Sequence, residues 1–115
     1  FPSNPSISVR SDYLFSCCAS LSSILIPDSV TEIETGAFQR CTSLLSIVIP
    51  DSVTEIEDIV FSECSALRSV LLPASVTEIG VGAFDKCPNL TLTVFRNSYA
   101  ERYAQRNHIP YTYAD

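Results

Sequence analysis

A repeat with a spacing of 23 residues dominates this sequence. It places equivalent residues at Leu21, Leu44, Leu67 and Leu90, and at Cys18, Cys41, Cys64 and Cys87. Three adjacent segments align without a gap; they begin LSSILIPDSVTEIETGAFQRC, LLSIVIPDSVTEIEDIVFSEC and LRSVLLPASVTEIGVGAFDKC. A period of this length is typical of a solenoid, in which each coil packs only on its neighbours. The repeat therefore predicts stacked coils that present extended surfaces to partners.

The repeat also divides the chain into three parts. We predict a degenerate first coil or truncation edge over residues 1–20, three repeats over residues 21–89, and a last strand with a C-terminal cap over residues 90–115. The first part matches the repeat at Phe15 and Cys18, whereas Asn4 and Arg10 replace its proline and isoleucine. The sequence lacks Met, so we expect a processed product or an excised piece of a longer protein.

Each repeat contains two extended segments. In the second repeat, Leu44, Ile47 and Ile49 alternate with outward positions before Pro50, which predicts one strand per coil, paired in parallel with its neighbours. In the segment SVTEI that follows, Val53 and Ile56 are expected to point inward. A tight turn then precedes three further inward residues, which are Val60, Phe61 and Cys64.

The turn differs among the repeats at one position. The second repeat has Ile59 where the others have Gly36 and Gly82. Because a β-branched residue rarely adopts a positive φ angle, this difference predicts that the position does not require one.

The residues after Leu90 predict a C-terminal cap. Leu92 and Val94 alternate in a last strand that is one residue out of phase with the repeat, and Tyr111 and Tyr113 alternate in a short final strand after Pro110. Between these strands, Ser98 and Glu101 have the spacing of a capping box at the start of a helix. The helix would place over the open end of the solenoid Tyr99, Tyr103 and either Arg102 or Arg106. Terminal repeats are commonly atypical in this way.

Composition excludes several function classes. The formal net charge is -6, which argues against general nucleic-acid binding because such binding relies on clustered Lys and Arg. The sequence has no apolar run long enough to insert into a membrane. The only histidine is His108, which has no nucleophile or carboxylate at a motif spacing, so we predict a cap residue and no enzyme activity. Nothing in the sequence indicates a cofactor.

The cysteine column allows two interpretations. Coils about 4.8 Å apart would bring neighbouring cysteines within disulfide range. Side chains in one column all point the same way, however, and cannot surround a zinc ion tetrahedrally. We favour buried thiols that fill a groove, since free cysteine is among the most buried residue types. Cys17 makes the count odd, which leaves at least one thiol free in a monomer.

Charged residues repeat as well. The acidic column consists of Glu32, Glu55 and Glu78, and Glu34 with Glu57 begins another. Such a column is able to recruit calcium or a basic partner, but the sequence lacks a D-x-D-x-D-G type loop, so we predict no metal site and regard calcium as the less favoured outcome. The column of Arg40, Glu63 and Lys86 alternates in sign, which predicts contacts between neighbouring coils.

The outward face of the predicted strand sheet is the candidate binding surface. Its columns contain Ser23, Ser46 and Ser69, flanked by Leu45 and Arg68, and an apolar stripe that we define as Leu25, Val48 and Leu71. An apolar stripe across a sheet indicates a contact surface. Equally, such side chains favour strands and tolerate exposure. Both interpretations remain open, and Val48 and Leu71 are the first candidates for a contact role.

The pattern L-x-x-I-x-I-P-x-S-V-T-x-I-x-x-x-A-F-x-x-C, closed by S-Y-A-x-x-Y-A, resembles the BspA-type leucine-rich repeats of bacterial surface proteins. The resemblance covers the chain from about Leu14 to its end. It implies a leucine-rich repeat solenoid with short parallel strands, in a secreted or cell-surface protein associated with adhesion to host or matrix proteins. It carries over no catalytic residue. We therefore expect a non-enzymatic protein-interaction module; the alternative is a structural spacer or stalk without a ligand.

Overall fold

Short strands alternate between two sides of the molecule. The computed structural model describes residues 12–114, so Asn4, Arg10 and much of the predicted first part lie outside the described residues. In chain order the elements are β1 (Glu32–Ile33), β2 (Ser46–Val48), β3 (Glu55–Ile56), β4 (Ser69–Leu71), β5 (Glu78–Ile79), β6 (Thr91–Val94), α1 (Tyr99–Arg106) and β7 (Tyr111–Tyr113). They form a three-stranded sheet of order β1-β3-β5 and a four-stranded sheet of order β2-β4-β6-β7.

Both sheets are parallel, and their registers follow the repeat. Ser46 pairs with Ser69, and Glu55 pairs with Glu78. Ser69 then pairs with Thr91, which is one residue short of the repeat spacing. This shift confirms that the last strand is out of phase with the earlier coils.

The expectation that the first segment of each repeat forms a strand is wrong for the first repeat, in which only the second segment forms one, β1. Residues 21–26, which correspond to the segments containing β2 and β4, form no strand. One backbone hydrogen bond links this segment to the next coil, from the Leu45 N–H to the Ser22 C=O at 3.2 Å. The remaining bonds of a ladder with β2 are absent among the described residues, so the four-stranded sheet begins only at the second repeat.

The predicted inward side chains fill the space between the two sheets. All eight in the second repeat are buried: Leu44, Ile47, Ile49, Val53, Ile56, Val60, Phe61 and Cys64. At the corner the phenylalanine rings stack in one column, with centroid distances of 5.5 Å for Phe15 to Phe38, 5.5 Å for Phe38 to Phe61 and 5.2 Å for Phe61 to Phe84. These spacings are close to the separation of hydrogen-bonded strands, so each coil completes the core of the next.

The cysteine column supports this corner, and all five cysteines are free thiols. Cys41 Sγ donates to Phe15 C=O at 3.1 Å, Cys64 Sγ donates to Phe38 C=O at 3.1 Å, and Cys87 Sγ donates to Phe61 C=O at 3.0 Å. Burial raises the pKa of Cys64 to about 12 and that of Cys87 to about 11. The thiols therefore stay protonated and link coils as hydrogen-bond donors, as expected for buried groove-filling cysteines.

The prediction about Ile59 is wrong. Ile59 has a φ of 50°, close to the 66° of Gly36 and the 69° of Gly82. Its N–H donates to Val81 C=O at 3.0 Å, just as Gly36 N–H donates to Asp58 C=O. Stacked coils share one backbone path, so these bonds hold the isoleucine in the left-handed region despite the strain.

The C-terminal cap closes the last coil. The Tyr99 hydroxyl accepts a hydrogen bond from Ile79 N–H at 3.3 Å, and the Tyr103 ring lies against Phe84 with centroids 6.1 Å apart. β7 extends the four-stranded sheet by pairing in parallel with β6. These contacts confirm that the helix tyrosines and the final strand cover the open end.

Both ends of α1 are capped. Ser98 Oγ accepts from Glu101 N–H at 3.1 Å, whereas the Glu101 carboxylate accepts from Asn97 N–H at 2.7 Å rather than from Ser98, so only half of the predicted capping box forms. At the other end, His108 has a φ of 57° and Ile109 N–H donates to Ala104 C=O at 2.9 Å. This is the Schellman arrangement, with histidine in the position that usually holds glycine.

Candidate interaction face

The candidate face is built from the outward side chains of β2, β4 and β6. Alternation along each strand turns Ile47 and Val70 into the core and leaves their neighbours outside. Parallel register then aligns the outward residues, with Val48 opposite Leu71 and Leu71 opposite Thr93. Val48 and Leu71 therefore form a column on the outer surface, and Leu25 precedes them in a segment that forms no strand.

Exposure changes along the apolar stripe. Leu25 is 88% exposed and Val48 is 60% exposed, whereas Leu71 is half-buried. All three side chains line one groove of about 570 Å³, together with Phe95, Pro50 and the carboxylates Asp28 and Asp51. The stripe thus lines a shallow groove together with two carboxylates.

The other predicted site residues lie around this groove without lining it. Ser23 and Ser46 are exposed and Ser69 is half-buried, and Ser46 pairs in register with Ser69. Leu45, which is 47% exposed, and Arg68 lie immediately before the strands, where Arg68 N–H donates to Leu45 C=O at 2.8 Å. The structure brings together the stripe and the serine column, and places Leu45 and Arg68 at the entry to the strands.

The groove contains residues that the sequence did not indicate. Asp28 and Asp51 occupy the same position of the motif P-D-S, so their repetition was a usable signal. Phe95 follows β6, the strand that is out of phase, and no repeat position predicts it. Its ring becomes part of the groove because the shortened register brings the end of β6 beside Leu71.

The opposite sheet has a different surface. Register pairs Glu32 with Glu55 and Glu55 with Glu78, so the acidic column forms as predicted. The pKa of Glu55 is raised to about 7, chiefly by the hydrogen bond its carboxyl shares with Glu32, then by partial burial and the charges of Glu32 and Glu78. Burial and the Glu57 carboxylate also raise the pKa of Glu34.

Carboxylate oxygens come close together on this side. Those of Glu32, Glu55 and Glu57 lie within 4.8 Å of one another, as do those of Asp12, Glu34 and Glu57. Calcium takes about six to eight oxygen ligands, and exposed carboxylates often group in this way without an ion. The absence of a metal site stays a prediction.

The column of Arg40, Glu63 and Lys86 links one pair of neighbouring coils. Arg40 Nε lies 3.2 Å from Glu63 Oε1, which confirms the predicted contact, whereas no ion pair joins Glu63 to Lys86 within residues 12–114. Both side chains of the pair are partly exposed, so its contribution to stability is small.

In the described part of the chain, no helix is long and apolar enough to span a bilayer.

The described geometry agrees with known structures. A leucine-rich repeat protein from Bacteroides ovatus is 33% identical and superimposes with a TM-score of 0.76, covering 90% of this chain and 27% of that protein. A T. pallidum leucine-rich repeat protein is 34% identical with a TM-score of 0.54, covering 71% of this chain and 50% of that protein. The chain thus spans half or less of the length of each.

The comparison with families gives a consistent result. No curated protein matches the chain, but the model of the BspA type leucine-rich repeat region matches residues 4–105 in six copies. Leucine-rich repeats generally serve as scaffolds for protein interaction and typically have no enzyme activity. The chain belongs to the BspA-type leucine-rich repeat family.

Proposed function

We propose that this chain is a non-enzymatic protein-interaction module that binds its partner through the apolar stripe. One observation carries the proposal: outside a sealed core, Leu25 and Val48 are exposed and Leu71 is half-buried on the outer surface of consecutive coils. Val48 projects from β2 with 60% of its surface in water, and it lines the groove with Leu25 and Leu71. Contiguous apolar surface of this kind commonly marks an interaction site.

Charge indicates the chemistry of the partner. Asp28 and Asp51 line the groove together with the apolar stripe, and the chain as a whole carries a net charge of -6. A complementary partner would insert an apolar ridge between basic side chains. Because exposed charges are screened by salt, ionic strength should change the association rate more than the dissociation rate.

The proposed setting is extracellular. BspA-type repeats occur in surface proteins of Bacteroides, and a leucine-rich repeat protein of that genus resembles this chain. We therefore propose a secreted or cell-surface protein in which this module contacts a host or matrix protein. An adhesion role of this kind requires no cofactor and no catalytic residue.

A structural spacer is the alternative function. It is favoured by the uninterrupted hydrogen bonds between coils, such as Phe38 N–H to Val60 C=O at 3.0 Å and Phe61 N–H to Ala83 C=O at 2.7 Å. Such a stack is able to hold neighbouring domains at a fixed distance without binding a ligand. The exposed stripe would then reflect only the preference of Val and Leu for strands.

Binding of the chain to immobilised host-surface and matrix proteins tests the proposal. The test variant carries Val48→Glu and Leu71→Glu, which place two charges in the groove while leaving the inward residues unchanged. The matched control is Val81→Glu, because Val81 is 81% exposed and lies beyond β5, away from the four-stranded sheet. Circular dichroism establishes that all three proteins remain folded.

If the chain is an interaction module, the parent chain and Val81→Glu should both show saturable binding. The double variant should lose at least about tenfold in affinity, because two carboxylates would be desolvated in an apolar contact. Equal binding by the parent and the double variant would place the contact elsewhere. No saturable binding by any of the three proteins would favour the spacer.

A further inference from the structure

Backbone amides at the corners of the solenoid form a directional ladder. In each of the first three corners, three alternate N–H groups donate to carbonyls of the next coil. The donors are Tyr13, Phe15 and Cys17 in the first corner, Gly36, Phe38 and Arg40 in the second, and Ile59, Phe61 and Glu63 in the third, with distances from 2.7 to 3.0 Å. Every one of these bonds points toward the C-terminal end.

The last corner has the same donors but no coil beyond it. The equivalent residues are Gly82, Phe84 and Lys86, and within residues 12–114 none of their N–H groups donates a hydrogen bond. Gly82 and Lys86 keep the left-handed φ angles of the corner, 69° and 59°. The three amides are therefore held in the ladder conformation without acceptors, which is unfavourable for partly covered backbone groups.

Among residues 12–114, the cap places no strand opposite these amides. β7 continues only the four-stranded sheet, and α1 crosses the last coil through Tyr99 and Tyr103. Two adjoining cavities of about 350 and 410 Å³ lie between α1 and the corner, and they share Gly82, Tyr103 and Asn107. We call this combined space the cap groove. Phe84 and Lys86 line one part of it.

The cap groove is basic in an acidic chain. Its basic side chains are Arg102, Arg106 and Lys86, against one carboxylate, Asp85. Arg102 donates to Asn97 C=O at 3.3 Å, and none of the three basic residues forms an ion pair within the described part of the chain. Amide donors and unpaired cations facing one space favour an acceptor-rich, negatively charged ligand.

We propose that the cap groove binds a short acidic peptide segment as an additional turn of the corner ladder. Carbonyl oxygens from alternate residues of the peptide accept the N–H groups of Gly82, Phe84 and Lys86. Its carboxylates face Arg102 and Arg106. Alternate spacing follows from the inner corners, where the acceptors are also two residues apart, as in Asp58, Val60 and Ser62. This site is separate from the apolar stripe and does not depend on it.

Amide hydrogen exchange and NMR titration test the proposal on the whole chain. In the free chain, Gly82, Phe84 and Lys86 should exchange faster than their counterparts Ile59, Phe61 and Glu63, whose amides are bonded. The probe is a blocked pentapeptide of alternating glutamate and alanine. Its addition should shift the three amide resonances and slow their exchange. Already protected amides in the free chain, or unchanged resonances on titration, would overturn the proposal.

Two further probes define the ligand. The same peptide with lysine in place of glutamate should bind much more weakly, and inorganic phosphate should not protect all three amides together. Equal binding of the lysine peptide would contradict the role of the basic residues. Equal protection by phosphate would replace the peptide site with a simple anion site and overturn the proposal.

Exposed-charge variants separate this site from the apolar stripe. Arg102→Gln with Arg106→Gln should weaken binding of the acidic peptide by about tenfold, the order expected for two exposed charges. Arg68→Gln removes the same type of charge from the side of the four-stranded sheet and should leave binding unchanged, as should the Val48→Glu, Leu71→Glu variant. Equal weakening by Arg68→Gln would show that only net charge matters and would contradict a site in the cap groove.

Discussion

The two sheets of this solenoid share one core and one repeat, yet their outer surfaces differ in chemistry. The four-stranded sheet presents Val48 and Leu71 in register, beside paired serines. The three-stranded sheet presents Glu55 between Glu32 and Glu78. Parallel stacking aligns equivalent positions, so whatever residue type the repeat places outside becomes a column. Repetition therefore aligns apolar residues along a groove on one sheet and places glutamates next to one another on the other.

The sheets also end differently at the C-terminal cap. The four-stranded sheet gains β7 as a further strand, whereas β5 ends the three-stranded sheet and has Ile79 N–H paired with the Tyr99 hydroxyl. One sheet is terminated by backbone and the other by a side chain. This makes the edge of the three-stranded sheet the one that a single substitution can uncover.

The largest expected effect comes from the core that both sheets share. Phe61 is fully buried and stacks between Phe38 and Phe84. We expect Phe61→Ala to lower the free energy of unfolding by about 3–5 kcal/mol, because it leaves a cavity and removes two aromatic contacts. Urea denaturation followed by circular dichroism measures the loss, with Phe61→Leu as the milder variant if the alanine variant does not fold.

This substitution also tests whether the two sheets fold as one unit. Both should unfold in a single transition whose midpoint falls with Phe61→Ala, while the exposed substitution Val81→Ala should change stability by less than about 0.5 kcal/mol. If the two sheets unfolded in separate transitions, and the substitution left the amides of one sheet unaffected, the sheets would not share one core.

A smaller effect is expected at the edge of the three-stranded sheet. Tyr99→Phe removes the hydroxyl that accepts from Ile79 N–H, so we expect a loss of about 1–2 kcal/mol and faster exchange of the Ile79 amide. Tyr103→Phe is the matched control, because its ring packs on Phe84 and the change keeps the ring. If both variants lose the same stability, the Tyr99 hydroxyl does not terminate this sheet.

Strain at the corner between the sheets should be relieved by one substitution. Ile59 has a φ of 50°, and asparagine adopts this region more readily than isoleucine. We expect Ile59→Asn to raise the free energy of unfolding by about 0.5–1 kcal/mol, measured in urea. Ile59 is only half-buried, which limits the packing that is lost. A destabilised variant would mean that the isoleucine side chain contributes more than the strain removes.

Sequence periodicity predicted the repeated parts of the fold well, for a physical reason. Stacked coils repeat the same environment, so Val53 and Ile56 could be assigned inward from one repeat and all their equivalents follow. The predicted register of the acidic column and of Ser46 with Ser69 also follows from an unbroken spacing. The prediction of a strand in residues 21–26 was wrong, because periodicity specifies which side chains point inward but not which backbone hydrogen bonds form.

Backbone conformation and the cap groove were less accessible to sequence. The side chain of Ile59 argued against a positive φ angle, but hydrogen bonds from the neighbouring coils determined it. Phe95 and the unpaired amides of the last corner arise where the repeat stops, so no repeat position predicts them. The binding roles assigned to the apolar stripe remain predictions that require a partner.

The smallest effect should appear as a pH dependence confined to the acidic sheet. The pKa of Glu55 is raised from 4.5 to about 7, first by its hydrogen bond with Glu32 and then by partial burial and neighbouring charges. Between these values the folded chain holds a proton that the unfolded chain releases, so stability decreases as pH rises from about 4.5 to about 7 and stays lower above that range. Below about pH 4.5 this carboxyl is protonated in both the folded and the unfolded state, so it adds no further pH dependence.

Thermal unfolding at about pH 5 and about pH 8 measures this effect, since the two values lie on either side of most of the titration. Glu55→Gln removes the titrating group from the centre of the column, with Glu32 and Glu78 on either side. The variant should therefore show a smaller fall in melting temperature than the parent, and should be the more stable of the two only at the higher pH. Asp51→Asn makes the same chemical change beside the apolar stripe and should keep the parent's pH dependence. If Asp51→Asn flattens the curve as much as Glu55→Gln does, the pH dependence comes from net charge, and the two faces differ less electrostatically than their registers imply.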